Sequence, residues 1–343
     1  CRGTGRTFAT AVRDGALGIR LDTIHPELSG KSPADCLTAT PLSDIRVRHT
    51  VGLADPLTGA DIAEDEKLTD GLPQSLEDNI SVYGLTHLKI KLCGDADTDR
   101  ARLKAIAALM KNRKCKFTLD GNEQYTELAP FRDLWEAIRS DSELTSFLGG
   151  LIFVEQPLHR DVALSDEARS VLSNWDDCPP MIIDESDGAL DSSQRALDCG
   201  YVGTSHKNCK GVFKGIANAS LMAEREKASG RRHILSSEDL ANVGPVALTQ
   251  DLAVLATLGV THSERNGHHY FAGLSMFPEN VQEQIAEQHG SLYRSNGSFL
   301  ALAVSNGTLD ISSVVDAPFG YAFDFDTTCF TPLDEWSSDS LEL

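Results

Sequence analysis

The chain has 343 residues, 41% of them hydrophobic, enough for one large domain with a sizeable core and a smaller companion. Its 51 acidic residues outnumber 31 basic ones, for a formal charge of -20, so its surface repels nucleic acid and anionic lipid. No apolar run reaches the roughly 18 residues of a transmembrane helix, and eight scattered cysteines without a CxxC pair read as reduced thiols of a cytoplasmic protein.

Residues 1–44 read as helix and loop: TFATAVRDGA has helical character, and HPELSGKSPADC is punctuated by Pro and Gly. There is no initiator methionine and no basic-then-apolar leader, so the sequence is expected to begin inside the natural protein. From Ile45 the chain becomes regular. Apolar runs predict strands at 45–52, 86–92, 115–120, 151–155, 180–184, 201–206, 232–237 and 259–264. The gaps hold helical patterns: DTDRARLKAIAALMKNR, LAPFRDLWEAIRS, SDEARSVLSN, SSQRALDCG, GVFKGIANASLMAEREKASG and GPVALTQDLAVLATLG, with Gly closing the last three. Eight strands alternating with helices predict a (β/α)8 barrel, with an open doubly wound sheet as the rival. The last eighty or so residues break this rhythm. They hold one helix, short strand-like pieces and an acidic tail, and are expected to pack with residues 1–44 as a second layer beside the barrel.

Charged residues stand where the predicted strands end: Lys91, Asp120, Glu155, Asp184, Lys207 and Glu264. In a parallel barrel the strand ends share one face, so these groups form one polar cluster. Asp120, Glu155 and Asp184, on consecutive strands, would converge in a mouth of low dielectric, where like charges repel and a divalent cation removes the penalty. Hard oxygen donors without His or Cys favour Mg²⁺ over Zn²⁺, with Mn²⁺ as a substitute. Asn122 and Glu185 lie just beyond two of these positions and are expected to support them. Strand alternation turns Glu185 away from Asp184, so it is not counted as a ligand.

Lys89 and Lys91 share a strand face, and their mutual repulsion is expected to lower one amine towards the range of a general base. Lys207 would lie across the cavity from Lys91, while Lys210 and Lys214 read as surface or anion-holding residues. Opposed amines flanking a metal suit abstraction of a proton α to a carboxylate: the metal stabilises the ene-diolate, and a lysine on either face removes or returns the proton.

Together, the K-x-K at Lys89 to Lys91, D-x-N-E at Asp120 to Glu123, E-Q-P at Glu155 to Pro157, D-E-S at Asp184 to Ser186 and K-x-x-K-G at Lys207 to Gly211 resemble the enolase superfamily. Within it they resemble the mandelate racemase/muconate lactonizing enzyme-like proteins, muconate-lactonizing branch. The resemblance covers roughly residues 45–325. It implies a modified (β/α)8 TIM-type barrel (residues 45–265) with an α+β capping domain formed from both chain ends. Residues 1–44 would be the N-terminal part of that cap, expected to be truncated because family members carry more residues before the first barrel strand. Residues 266–343 would supply the barrel-closing helix and the return to the cap. The resemblance further implies Mg²⁺ on Asp120, Glu155 and Asp184, an acid/base pair of Lys91 and Lys207, and Lys89 supporting Lys91 and meeting the substrate carboxylate. The seventh strand lacks the histidine, and the sixth the aspartate, of the sugar-acid dehydratase pattern, which disfavours that activity.

The eighth-strand segment HSERNGHHYFAGL holds His262, Glu264, His268 and His269. The histidines are expected mainly to pack, and a zinc site there would need a tight turn at the adjacent pair. Glu264 with His268 or His269 is the expected substrate contact, with Glu238 and Asp239 in similar polar roles, and Asn266 and Gly267 supply the turn. The expected partner is a small carboxylate, with neither nucleic acid nor membrane, and homo-oligomerisation stays open. Racemisation or epimerisation of a small carboxylic acid or amino acid derivative is the first reading. A cycloisomerase or syn-dehydratase using the same lysines is the second, and a non-catalytic metal- or ligand-binding barrel is the third.

Overall fold

The computed structural model describes residues 1–238, 242–328 and 330–341. Eight parallel strands follow one another around a ring: β1 (Asp44–Val51), β2 (His87–Lys91), β3 (Lys116–Asp120), β4 (Leu151–Glu155), β5 (Met181–Ile183), β6 (Gly203–His206), β7 (Ile234–Ser237) and β8 (His262–Glu264). β8 pairs with β1, placing Arg48 beside Glu264. Between β7 and β8 the ring closes through the Glu238–Glu264 bridge and a 2.7 Å hydrogen bond between the hydroxyls of Ser237 and Ser263. The sheet is therefore a near-closed barrel, and the doubly wound alternative is set aside.

All eight predicted strands form. β8 is shorter than expected because Gly259 adopts φ 74° and caps helix Val246–Leu258, so the start of the predicted run belongs to the helix terminus. Gly200 and Gly230 close helices Ser192–Cys199 and Val212–Ser229 in the same left-handed way. A further helix, Leu76–Tyr83, was not predicted, although Ser75 caps its start and Gly84 ends it. Strand alternation divides the barrel's residues in two. Val47, Leu88, Ile90, Phe117, Leu119, Val154 and Ile183 are buried towards the helices, whereas Arg48, Thr50, Lys89, Thr118, Asp120 and Glu155 are buried inside the ring.

The chain ends form an α+β layer, giving a modified TIM barrel with a cap. Helix Phe8–Arg13 packs on helix Val246–Leu258, the Phe8 and Phe319 rings stack at 5.0 Å, and Arg2 lies over the Tyr321 ring. The hairpin β9 (Tyr293–Ser295) and β10 (Leu300–Leu302) precedes β11 (Thr308–Asp310), which runs antiparallel to the start of β1, with Asp310 opposite Asp44. At the other end of the barrel, the connection from β1 to β2 meets the segment after β8, where Asp55 approaches His269. No helix among the described residues is long and apolar enough to cross a membrane. The seven described cysteines are free, and Cys329 and Asp239 lie outside the described residues.

Candidate active site

The local chain geometry explains how the acidic side chains are aimed inward. After β3 the chain passes through Gly121, where a Cβ would stand 2.6 Å from the Pro157 Cα, then through Asn122 and Glu123 at φ 40° and 64°. Gln156 after β4 also has positive φ, at 36°. Non-glycine residues rarely hold such angles, and they persist only where surrounding bonds fix them. Here the fixing bonds are visible. Gln156 Oε1 accepts from the backbone N–H of Asp184 at 2.8 Å and of Ser186 at 3.2 Å, while its Nε2 donates to Ser186 Oγ at 2.7 Å. Glu123 takes Arg160 in a two-pronged ion pair at 2.8 and 2.6 Å. One glutamine thus sets the position of Asp184 relative to Glu155.

Lys89 sits at the centre, fully buried. Its Nζ lies 2.9 Å from Asp120, 3.1 Å from Glu155, 3.0 Å from Glu238 and 2.8 Å from Glu264. Lys91 Nζ donates to Asp120 Oδ2 at 2.6 Å on one side. Across the ring, Lys207 Nζ donates to Asp184 Oδ2 at 2.9 Å and also pairs with Glu238. Lys91 ends the second strand and Lys207 follows the sixth, four strands apart in an eight-stranded ring, so the two amines approach from opposite sides.

The electrostatics correct one expectation. Lys89 is not the lowered amine, and both it and Lys91 bond Asp120. Burial opposes the charge on Lys89, but its four carboxylate neighbours outweigh it and hold the amine well above its ordinary value. For Lys207 too, burial is outweighed by Asp184 and Glu238, and its amine is raised. Asp184 keeps its charge despite burial because Lys210, Lys207 and Lys89 face it. Glu264 likewise remains ionised against burial, through Lys89 and Lys91. Glu155 is the exception: burial, with Asp120 and Asp184 nearby, pushes its carboxyl up to about 8 although Lys89 pulls it down. Five carboxylates (Asp120, Glu155, Asp184, Glu238, Glu264) face four amines (Lys89, Lys91, Lys207, Lys210), leaving one formal negative charge. Glu155 is the carboxyl of this set that burial and its like-charged neighbours push towards the neutral form.

The donor set fits a small hard cation. Oxygens of Glu155, Asp184 and Glu238 lie within 4.8 Å of one another, and Glu155 Oε1 is buried with no hydrogen-bond partner. A buried acidic triad able to hold a divalent metal is therefore present. It contains two of the three expected ligands together with Glu238, which was expected only as a substrate contact. Asp120 adjoins the group through Lys89. Asn122 donates to Glu185 Oε1 at 3.2 Å, so these two bond each other beside the triad.

Several placements differ from expectation. Lys210 is not a surface residue: one 3₁₀ turn after Lys207 returns it to the cluster, where it donates to Asp184 Oδ1 and to the Asp184 backbone carbonyl, each at 2.6 Å. Lys214 is buried and pairs with Asp187 at 2.9 Å. Neither His268 nor His269 is brought to the cluster. His268 is buried against His49, 3.0 Å between ring nitrogens, and His49 alternates with Arg48 and Thr50 and so faces outside the ring. His269 lies between Asn79 and Asp55. His262 packs below the cluster, stacked on His87 at 5.5 Å and 3.2 Å from Arg48. Sequence reading missed Arg48 and Thr50. Arg48 is fully buried, donates to Ser236 Oγ at 2.8 Å and the Ser237 carbonyl at 3.0 Å, and places positive charge beneath Glu155. Thr50 bonds Glu264. Both sit at inward positions of the predicted first strand, and that alternation was the available signal.

This architecture recurs in solved structures. A mandelate racemase/muconate lactonizing enzyme from Roseiflexus sp. superposes with a TM-score of 0.51 at 18% identity, over 81% of this chain and 65% of that one. An isomerase from Streptomyces coelicolor A3(2) gives 0.53 at 16%, over 84% and 66%. A dipeptide epimerase from Enterococcus faecalis V583 gives 0.50 at 16%, over 85% and 77%. The chain shares their fold. It spans just under two thirds of the length of the first two, and no protein-family model or curated protein matches it by sequence. In this modified TIM-barrel fold, the mouth of the barrel carries the carboxylates and lysines described above.

Proposed function

We propose that the protein abstracts the proton α to a carboxylate in a Mg²⁺-dependent reaction, and that it racemises or epimerises a small carboxylic acid or amino acid derivative. The observation that carries this reading is the placement of Lys91 and Lys207 on opposite sides of a buried carboxylate group that contains an unpartnered oxygen. Fold neighbours that include an isomerase and a dipeptide epimerase support it.

Glu155 and Asp184 would hold the cation, with Asp120 and Glu238 on either side. The all-oxygen donor set favours Mg²⁺, with Mn²⁺ as a substitute. When bound, the cation supplies the positive charge that stabilises charge developing on the substrate carboxylate. Lys91 and Lys207 serve as the acid/base pair: the one that starts neutral takes the proton from Cα, and the other, starting protonated, delivers its own proton to the opposite face. Lys89, fixed between four carboxylates, holds the acidic wall together and offers its charge to the substrate carboxylate. Gln156 keeps Asp184 in place, and Arg48 supports Glu155 from below.

The test is incubation of a library of small carboxylic acids, including N-acylamino acids and dipeptides, with the protein and Mg²⁺ in D₂O. Deuterium at Cα in both enantiomers is the expected result. Loss of a leaving group would replace this reading with the lyase one, and an absence of exchange across the library would defeat both.

A further inference from the structure

We propose that a basic groove between two helices of the outer layer docks the acidic segment 331–339 of a second copy of this chain. The groove lies between helix Ala96–Leu109 and helix Thr145–Leu148, has a volume of about 530 Å³, and is lined on its charged side by Lys111 and Arg113. Its apolar lining includes Ala107, Met110 and Phe147, and the Phe147 ring is stacked on Phe117 at 4.2 Å.

This patch runs against the charge of the molecule. The chain carries a formal charge of -20, yet four of the six residues 111–116 are basic and exposed: Lys111, Arg113, Lys114 and Lys116. A cation at a helix end complements the helix dipole, which accounts for Lys111 but not for the residues beyond it. The carboxylate on the lining, Glu143, is held by Lys104 at 2.8 Å, and among the described residues no ion pair engages Lys111, Arg113 or Lys114. Like charges this close repel one another, so an anionic partner stabilises the patch.

Segment 331–339 has the matching chemistry. Phe330 roots it against Phe325 and Phe277, with ring centroids 5.6 and 6.3 Å apart. Beyond that root, the Glu335 N–H donates to the Pro332 carbonyl at 3.0 Å and closes a turn. The turn presents Leu333, 88% exposed, and Trp336, 49% exposed, on either side of the exposed Asp334 and Glu335. Neither acid pairs with a cation among the described residues. Two apolar side chains and two carboxylates in four consecutive residues thus match an apolar groove edged by cations. A nucleic acid would offer the charge without the apolar groups, and the net charge of the chain repels it and anionic membranes alike. Each copy carries both halves, so the contact is heterologous, groove to segment. These nine residues are fewer than the roughly 20–30 on each side of a standard interface, so the association is weak and sensitive to salt.

Sedimentation velocity of the full chain, over concentrations from about 1 to 200 μM, tests the contact at low salt and in ~0.5 M NaCl. The mass is expected to rise with concentration at low salt and to return to that of one chain at high salt. Two charge-reversed variants separate the halves: Lys111→Glu with Arg113→Glu, and Asp334→Lys with Glu335→Lys. All four positions are exposed, so both variants are expected to keep the wild-type thermal unfolding midpoint. Each alone is expected to associate at least about tenfold more weakly than the wild type. An equimolar mixture of the two is expected to regain association, because the reversed segment of one meets the reversed groove of the other. A wild-type chain that stays single at every concentration, undiminished association in either variant alone, or a mixture that fails to associate would overturn the proposal.

Discussion

Two buried polar clusters stand near the same end of the barrel, and burial treats them oppositely. Inside the ring, Lys89 is fully buried yet held protonated because four carboxylates surround it. Outside the ring, His49 and His268 are equally buried, but burial drives both below their ordinary values, and His268 falls to about 3. The first cluster stores charge and the second excludes it. A buried charge persists only where opposite charge accompanies it. The imidazoles, which sequence spacing places beside Glu264, are for that reason packing residues in this fold, whereas Asp184 and Glu264 keep their charge beside lysines.

The strongest way to break this contrast is at the amines. Lys91→Ala and Lys207→Ala are each expected to lower α-proton exchange about 10²–10⁴-fold while Mg²⁺ binding, read by calorimetry, remains. Normal exchange in either variant would remove the acid/base pair. Next is the charge at the centre. Lys89→Met leaves its carboxylates unpaired and should cost about 3–5 kcal/mol of stability in urea denaturation, with Mg²⁺ recovering part of the loss. An unchanged midpoint would show that Lys89 does not balance the cluster.

A third test concerns the metal. At a concentration 100-fold above its Kd, Mg²⁺ should stabilise the native chain by about 2.7 kcal/mol, and Glu155→Gln should abolish most of this. An equal thermal shift in that variant would place the cation elsewhere. The smallest effect is expected at the histidines. The folded pKa of His268, about 3, lies below the unfolded 6.5, so the unfolded state binds the extra proton. Stability contributed by neutral His268 is complete above pH 6.5 and declines as pH falls towards 3, at up to about 1.4 kcal/mol per unit. His268→Gln should flatten that slope in denaturation at pH 7 and 5 while leaving exchange nearly intact. A large loss of exchange would instead move His268 into the site.

The periodicity of apolar runs determined the eight strands, because a strand that must bury one face against helices cannot hide its pattern. The same pattern put Lys91, Asp120, Glu155, Asp184, Lys207 and Glu264 at strand ends, and a parallel barrel gathers strand ends on one face whatever the details of packing. Side-chain partners are another matter, since they depend on register and on turns of one or two residues. Only the tertiary structure decided that Glu238 joins Glu155 and Asp184, that one 3₁₀ turn brings Lys210 back to Asp184, and that His268 turns outward to His49. A chain encodes where its strands end through local patterning, but which charges neutralise one another inside the ring is settled only when the ring closes.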